Sequence, residues 1–229
     1  ADFHPEVLSL FNQYVHGQLD RRGFLDHAAR FAVGGTTAAG LLAALSPNFA
    51  LAQKVSPTDA RIRNEFVEFA SPNGNGKVRA LVARPAQAAG PLPVVVVVHE
   101  NRGLNPHIED IARRLALDNF IALAPDALFT LGGYPGDEEK AAALFVRLDR
   151  VRTSEDFIAA ANHARTIAGS NGHVGAVGFC YGGSVVNLIA TRVPELLAGA
   201  AFYGSPPPLD KVGAIKAELL HVFPEPDER

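Results

Sequence analysis

The sequence of 229 residues contains a single cysteine. One thiol cannot form an internal disulfide, a Cys-x-x-Cys redox pair or a cysteine-rich zinc site, so Cys180 needs an explanation of its own. An excess of either charge is also missing, with 21 Lys and Arg against 24 Asp and Glu and a net charge of −3. No basic field is available to hold a phosphate backbone, and no run of like charges supplies one locally, so nucleic acid is not an expected partner. The sequence also lacks a hydrophobic run suited to crossing a bilayer. The stretch from Ala28 to Leu45 is short, rich in glycine and interrupted by Arg30, and no stable membrane span is expected of the mature form. Apolar residues make up 48% of the chain and the mean hydropathy is +0.09, which describes a globular protein with a sizeable core.

The first fifty-odd residues differ from the rest. Asp20-Arg21-Arg22-Gly23-Phe24-Leu25 precedes the weakly apolar stretch, and Ala50-Leu51-Ala52 reads as a small-x-small cleavage site before Gln53. This order looks like a twin-arginine export signal, the other reading being an ordinary amphipathic N-terminal helix. The expected organisation is a signal region over residues 1–52, cleaved after Ala52, and a folded domain over residues 53–229. The twin-arginine export machinery is then a partner, and the expected location is periplasmic or secreted.

Beyond Lys54, strand and helix patterns alternate. Arg63 to Phe69 and Lys77 to Arg84 flank the turn Asn73-Gly74-Asn75-Gly76 and predict a hairpin. Pro93 is followed by five valines, a run without a polar face that suits a central strand covered on both sides. Further strands are expected at Phe120–Ala124, Val174–Phe179, Leu197–Phe202 and Glu218–Phe223. Helices are expected at Ile108–Leu117, Glu138–Arg150, Thr153–Ala168 and Gly183–Thr191. This alternation predicts an α/β fold, a mostly parallel sheet with helices on both faces.

Gly178-Phe179-Cys180-Tyr181-Gly182-Gly183 lies at a predicted strand-to-helix junction and has the form of the nucleophile elbow G-x-S-x-G, with cysteine in place of serine. Such a turn is sharp, so its flanks must lack side chains if the two backbones are to pass closely. The partial positive charge at the start of the following helix favours a thiolate and any oxyanion formed when it attacks. The alternative is a small buried hydrophobe in a glycine-rich turn.

Three blocks, Val98-His99-Glu100-Asn101-Arg102-Gly103-Leu104-Asn105, Ala124-Pro125-Asp126 and the Cys180 elbow, occur in the order and at the intervals found in dienelactone hydrolases. From about Arg61 to Leu220 the chain resembles that family of α/β-hydrolases. The resemblance implies Cys180 as nucleophile, Glu100 beside the thiol until an acidic substrate displaces its carboxylate, and the N–H groups of Asn101 and Tyr181 as the oxyanion hole. It implies opening of a lactone or small ester through a thioester, without metal or organic cofactor. Read from its position, His99 should point away from Glu100 and be structural. Asp126 reads as a turn or capping carboxylate, and Tyr134 is a candidate for lining the substrate pocket.

The pattern departs from the family at its end. The triad acid should follow the last strand, where Asp227 fits best and Glu225 is the alternative, and two prolines stiffen the Phe223-Pro224-Glu225-Pro226 approach. The histidine that the family places after the acid has no counterpart. Two expectations follow, a C-terminally truncated hydrolase or a natural short form without full triad chemistry. A rival from another class is a noncatalytic exported domain that binds a small ligand.

Overall fold

A computed structural model describes residues 3–224. The chain divides into two compact units, Ala1–Ala52 and Gln53–Arg229.

In the first unit, α1 (Pro5–Val15), α2 (Arg21–Ala28), α3 (Ala38–Leu45) and the single turn α4 (Phe49–Ala52) are short helices with side-chain caps on the first three. Asp20 accepts from Gly23 N–H at 2.7 Å and Thr37 accepts from Gly40 N–H at 3.0 Å, which sets the starts of α2 and α3. Leu10, Phe24, Ala28 and Leu42 form a small core of their own. The apolar stretch after Arg21-Arg22 is thus broken between α2 and α3. Among the described residues no helix is long and apolar enough to cross a membrane.

The second unit is built on seven strands: β1 (Ile62–Ser71), β2 (Gly76–Pro85), β3 (Leu92–Val98), β4 (Ile121–Pro125), β5 (Ser170–Phe179), β6 (Leu196–Phe202) and β7 (Glu218–Val222). Their order in the sheet is β1-β2-β4-β3-β5-β6-β7. The β1–β2 and β2–β4 pairs are antiparallel and the other four pairs are parallel. The hairpin expected around Asn73-Gly74-Asn75-Gly76 is present. Asp156 accepts from Asn75 N–H at 2.9 Å, and any β-carbon on Gly74 would collide with the Asp156 and Ser71 side chains.

Helices lie on both faces, as the alternation predicts. One face is covered by α5 (Pro106–Leu117), whose Ile108, Ala112 and Ala116 pack on Val97, Ala122 and Ala124. The other is covered by α6 (Glu138–Val146), α7 (Arg150–Ala164) and α8 (Tyr181–Arg192), which close the larger core over Val94, Val96 and Val98. The alternating burial of successive valines in β3 between the two cores is the reason that this strand has no polar face.

Several helix boundaries differ from expectation, and the helix expected over Thr153–Ala168 runs over Arg150–Ala164. The helix expected over Glu138–Arg150 stops at Val146, because Asp149 caps a new helix by accepting from Val151 N–H at 3.0 Å and Arg152 N–H at 3.1 Å. The helix expected from Gly183 starts at Tyr181, directly after the cysteine.

Candidate active site

Parallel pairing brings the ends of four strands to one edge of the sheet. Val98 of β3 is in register with Gly178 of β5, Phe179 with Phe202 of β6, and Phe202 with Val222 of β7. The segments that leave these strands, starting at His99, Cys180 and Tyr203, therefore emerge side by side. Ligand sites of open α/β sheets form at the carboxyl ends of strands.

Cys180 sits at the junction of β5 and α8 with φ 54° and ψ −115°. A positive φ is strained for any residue with a β-carbon and persists only where its surroundings impose it. Three glycines impose it here. A β-carbon on Gly178 would strike the Gly182 carbonyl, one on Gly182 would strike the Val98 carbonyl, and one on Gly183 would lie 2.7 Å from the Phe202 carbonyl oxygen. Cys180 N–H donates to Phe202 O at 2.9 Å, tying the turn to β6. The cysteine side chain gives no cap to α8, so this helix begins with no side chain of its N-cap residue folded over its first turn. The thiol is half-buried. Tyr181 is the first residue of α8, and its N–H therefore belongs to the group of amides that α-helices leave without an intrahelical acceptor.

His99 and Glu100 diverge as strand geometry requires. His99 is fully buried. Its Nε2 accepts from Ala127 N–H at 3.2 Å, so Nδ1 carries the proton and donates to Glu100 O at 2.6 Å. Phe145, Phe157 and Tyr181 surround the ring. Burial pushes its pKa below the ordinary histidine value. With both nitrogens engaged by backbone, it anchors the loop after β3. Glu100 is half-buried and accepts from the Tyr203 hydroxyl at 3.4 Å. Asn101 follows it, also half-buried.

Tyr203 is the residue that sequence reasoning missed. It leaves β6 with φ 43° and its phenol is held well above the usual tyrosine pKa by burial, by the Glu100 carboxylate and by the Cys180 sulfur. The phenol therefore lies within the electrostatic reach of both Glu100 and Cys180. Its signal was available as Phe202-Tyr203-Gly204 at the end of the strand expected after the elbow helix. The Pro206-Pro207-Pro208 run drew that segment into a plain loop.

The remaining candidates have other partners. Asp126 accepts from Leu128 N–H at 3.0 Å and pairs with Arg79 at 2.8 Å, so it is a buried turn carboxylate. The Tyr134 hydroxyl donates to Glu138 Oε1 at 2.8 Å, and Glu138 also faces Arg102 at 3.8 Å. The Tyr181 ring stacks under the Arg150 guanidinium at 5.3 Å, and burial pushes its phenol up to about 12. Asp227 and Glu225 lie outside the described residues. No group of three or more His, Cys, Asp or Glu that could hold a metal ion occurs among the described residues.

Comparison with known proteins gives two family matches. The profile of the dienelactone hydrolase family matches residues 78–229, and a family described as YqhI-like matches residues 1–33. A protein of Escherichia coli K12 named "Putative hydrolase fragment YghX" is 52% identical over 113 residues, which are 49% of this chain and 97% of that protein. The "Putative carboxymethylenebutenolidase" of the same strain is 37% identical over 153 residues, 65% of this chain and 55% of the relative. The chain thus spans about half the length of that relative. Among solved structures, a dienelactone hydrolase-like promiscuous phosphotriesterase from metagenomic libraries, P91, superposes with TM-score 0.60 at 25% identity, covering 73% of this chain and 71% of that one.

Proposed function

From the premise that the chain belongs to the dienelactone hydrolase family, we propose that it opens a lactone or small carboxylic ester with Cys180 as the nucleophile. The observation that carries this reading is the Cys180 turn, a positive-φ cysteine at the start of α8 enforced by three glycines without room for a side chain. A cysteine serving only as a small hydrophobe needs no such backbone.

In the proposed reaction the Cys180 sulfur adds to the acyl carbon as a thiolate. The Asn101 and Tyr181 N–H groups receive the oxyanion, and the start of α8 adds its partial positive charge. Collapse of the tetrahedral intermediate breaks the bond to the alkoxide, which takes a proton from water, and leaves a thioester on Cys180. Glu100, which accepts from the Tyr203 hydroxyl, is assigned in this reading as the carboxylate that rests beside the thiol. Hydrolysis of the thioester needs a base for the attacking water, with Asp227 or Glu225 as the acid that would orient a histidine. Among the described residues His99, next to Glu100, has both nitrogens engaged by backbone and cannot be that base. We therefore propose that acylation of Cys180 is the faster step and hydrolysis of the thioester the slower one.

The test is an activated chromogenic acetate ester mixed with the wild type and with Cys180→Ser. The expected result is a burst close to one product per chain, an acetyl group on Cys180 by mass spectrometry, and no burst from the variant. An ester that binds without acylating Cys180 would replace this reading with the noncatalytic binding domain. Residues 1–52 are proposed as the export signal, supported by Arg21 and Arg22, both exposed in the first turn of α2. A folded reporter fused after Ala52 should reach the periplasm, and Arg21→Lys/Arg22→Lys should hold it in the cytoplasm.

A further inference from the structure

The strained backbone of Tyr203 raises the question of what holds it. Its N–H donates to Val222 O at 2.7 Å, which fixes it from the β7 side. From the other side it is held by α8. A β-carbon on Gly204 would collide with the Gly183 carbonyl carbon and the Ser184 nitrogen, so the chain after Tyr203 runs against the first turn of the helix. The next residue, Ser205, is gripped at both of its backbone groups. Its N–H donates to Ser184 Oγ at 2.8 Å, and its carbonyl accepts from Asn187 Nδ2 at 2.9 Å. Ser184 and Asn187 are three apart and so lie on one face of α8.

Asn187 is an unusual choice for packing alone. It is fully buried, and its Oδ1 has no hydrogen-bond partner among the described residues. A leucine would fill a similar volume without leaving a polar atom unpaired. The orientation of the amide is fixed, because the Ser205 carbonyl can only accept and must face Nδ2. What the asparagine contributes beyond packing is that one bond to Ser205.

We propose that Ser184 and Asn187 are positioning residues that clamp Ser205, set the Tyr203 hydroxyl against Glu100, and thereby tune the reactivity of Cys180. The same helix then carries the nucleophile at its N-cap and the clamp four and seven residues further on. Through the clamp, α8 reaches Tyr203, whose phenol meets Glu100 at 3.4 Å and lies within electrostatic reach of the Cys180 sulfur. A Glu100 carboxylate that has lost its hydrogen bond presents its full negative charge to the thiol and disfavours the thiolate.

The proposal rests on Cys180 being an activated thiol, and alkylation tests both without requiring turnover. Iodoacetamide modification of Cys180, the only thiol, is followed by mass spectrometry across pH for the wild type, Tyr203→Phe, Ser184→Ala, Ser184→Thr and Asn187→Leu. Tyr203→Phe, Ser184→Ala and Asn187→Leu should each slow modification at neutral pH by at least about threefold and move its pH midpoint upward, as couplings between contacting groups do. Ser184→Thr keeps the hydroxyl and should behave as wild type. Ser184→Ala added to Tyr203→Phe should slow it no further, because the clamp acts through the phenol. The proposal is overturned if Ser184→Ala and Asn187→Leu lose thermal stability yet keep the wild-type rate and pH profile, or if Ser184→Ala slows the Tyr203→Phe protein as much as it slows the wild type. Should Asn187→Leu fail to fold, Ser184→Ala and Ser184→Thr decide the question. A wild-type Cys180 that reacts no faster than free cysteine, with Tyr203→Phe inert, would instead overturn the nucleophile assignment itself.

Discussion

Under α6, α7 and α8 the sheet is sealed: Phe157, Val186 and Ile189 are buried and continuous with Val94, Val96 and Val98. Among the described residues the opposite face is covered only in part. There α5 shields the strands from β1 to β3, while an open groove of about 750 Å³ runs between Ile111 and Leu115 of α5 and Val177, Ala200 and Leu220 of the next strands. Leu220 is 59% exposed and Leu197 is 52% exposed. Parallel sheets usually have both faces covered. The comparison separates what positions the candidate site from what does not. The elbow, the His99 anchor and the Ser205 clamp depend on the sealed side, through α7 and α8, and of the groove's lining Phe202 joins the elbow through its backbone carbonyl.

The largest effect that would sharpen this contrast comes from the sealed face. Phe157 is 1% exposed and packs edge-on against both His99 and Tyr181. Phe157→Ala should cost about 3–5 kcal/mol, the range for large aromatic truncations in cores. It should also slow Cys180 alkylation, because both neighbours support the site. Denaturant titration and the alkylation assay measure the two effects, and a cost under about 1 kcal/mol would mean that the sealed face is not the core of the domain.

Most of this architecture was legible in the sequence because it rests on local signals. The valine run after Pro93, the Asn-Gly-Asn-Gly turn and the alternating patterns placed every strand of the second unit within a few residues. The elbow was legible for a steric reason: only glycines let the two backbones pass. Asp149 was a helix cap hidden inside an apparently continuous helical pattern. The clamp on the segment after Tyr203 could not be read at all, because Ser184 and Asn187 meet Ser205 only after β6 has paired with β5, and sequence spacing carries no trace of that contact.

A second, intermediate effect follows from the burial of His99. Its folded pKa lies below the ordinary value of 6.5, so the unfolded chain binds a proton that the folded chain refuses. The stability that comes from keeping this ring neutral is complete above about pH 6.5 and is lost as pH falls below that value toward the folded pKa, at up to roughly 1.4 kcal/mol per pH unit. His163, stacked on Phe69 at 4.3 Å and also lowered by burial, adds to the same acid limb. The slope of unfolding free energy against pH between about 5 and 6.5 should shrink in His99→Asn, even though that variant is less stable at every pH. An unchanged slope would mean that His99 is solvated and titrates alike in both states, which would remove the sealed face's claim on the loop after β3.

The smallest effect tests the open face. Leu220 of β7 lines the groove and is more than half exposed, so Leu220→Lys removes little buried apolar area and should change stability by no more than about 0.5 kcal/mol. Neither the burst with an activated ester nor the rate of Cys180 alkylation should move, since no contact of the elbow or of the clamp passes through this side chain. What should change is association. An apolar edge strand beside an uncovered sheet face favours pairing between chains, and a charge placed there opposes it. Light scattering at rising protein concentration should therefore show less self-association in Leu220→Lys than in the wild type, alongside weaker binding of a hydrophobic dye. A loss of more than about 1.5 kcal/mol from this one substitution would show that Leu220 is buried in solution, and the contrast between the two faces would then have to be withdrawn.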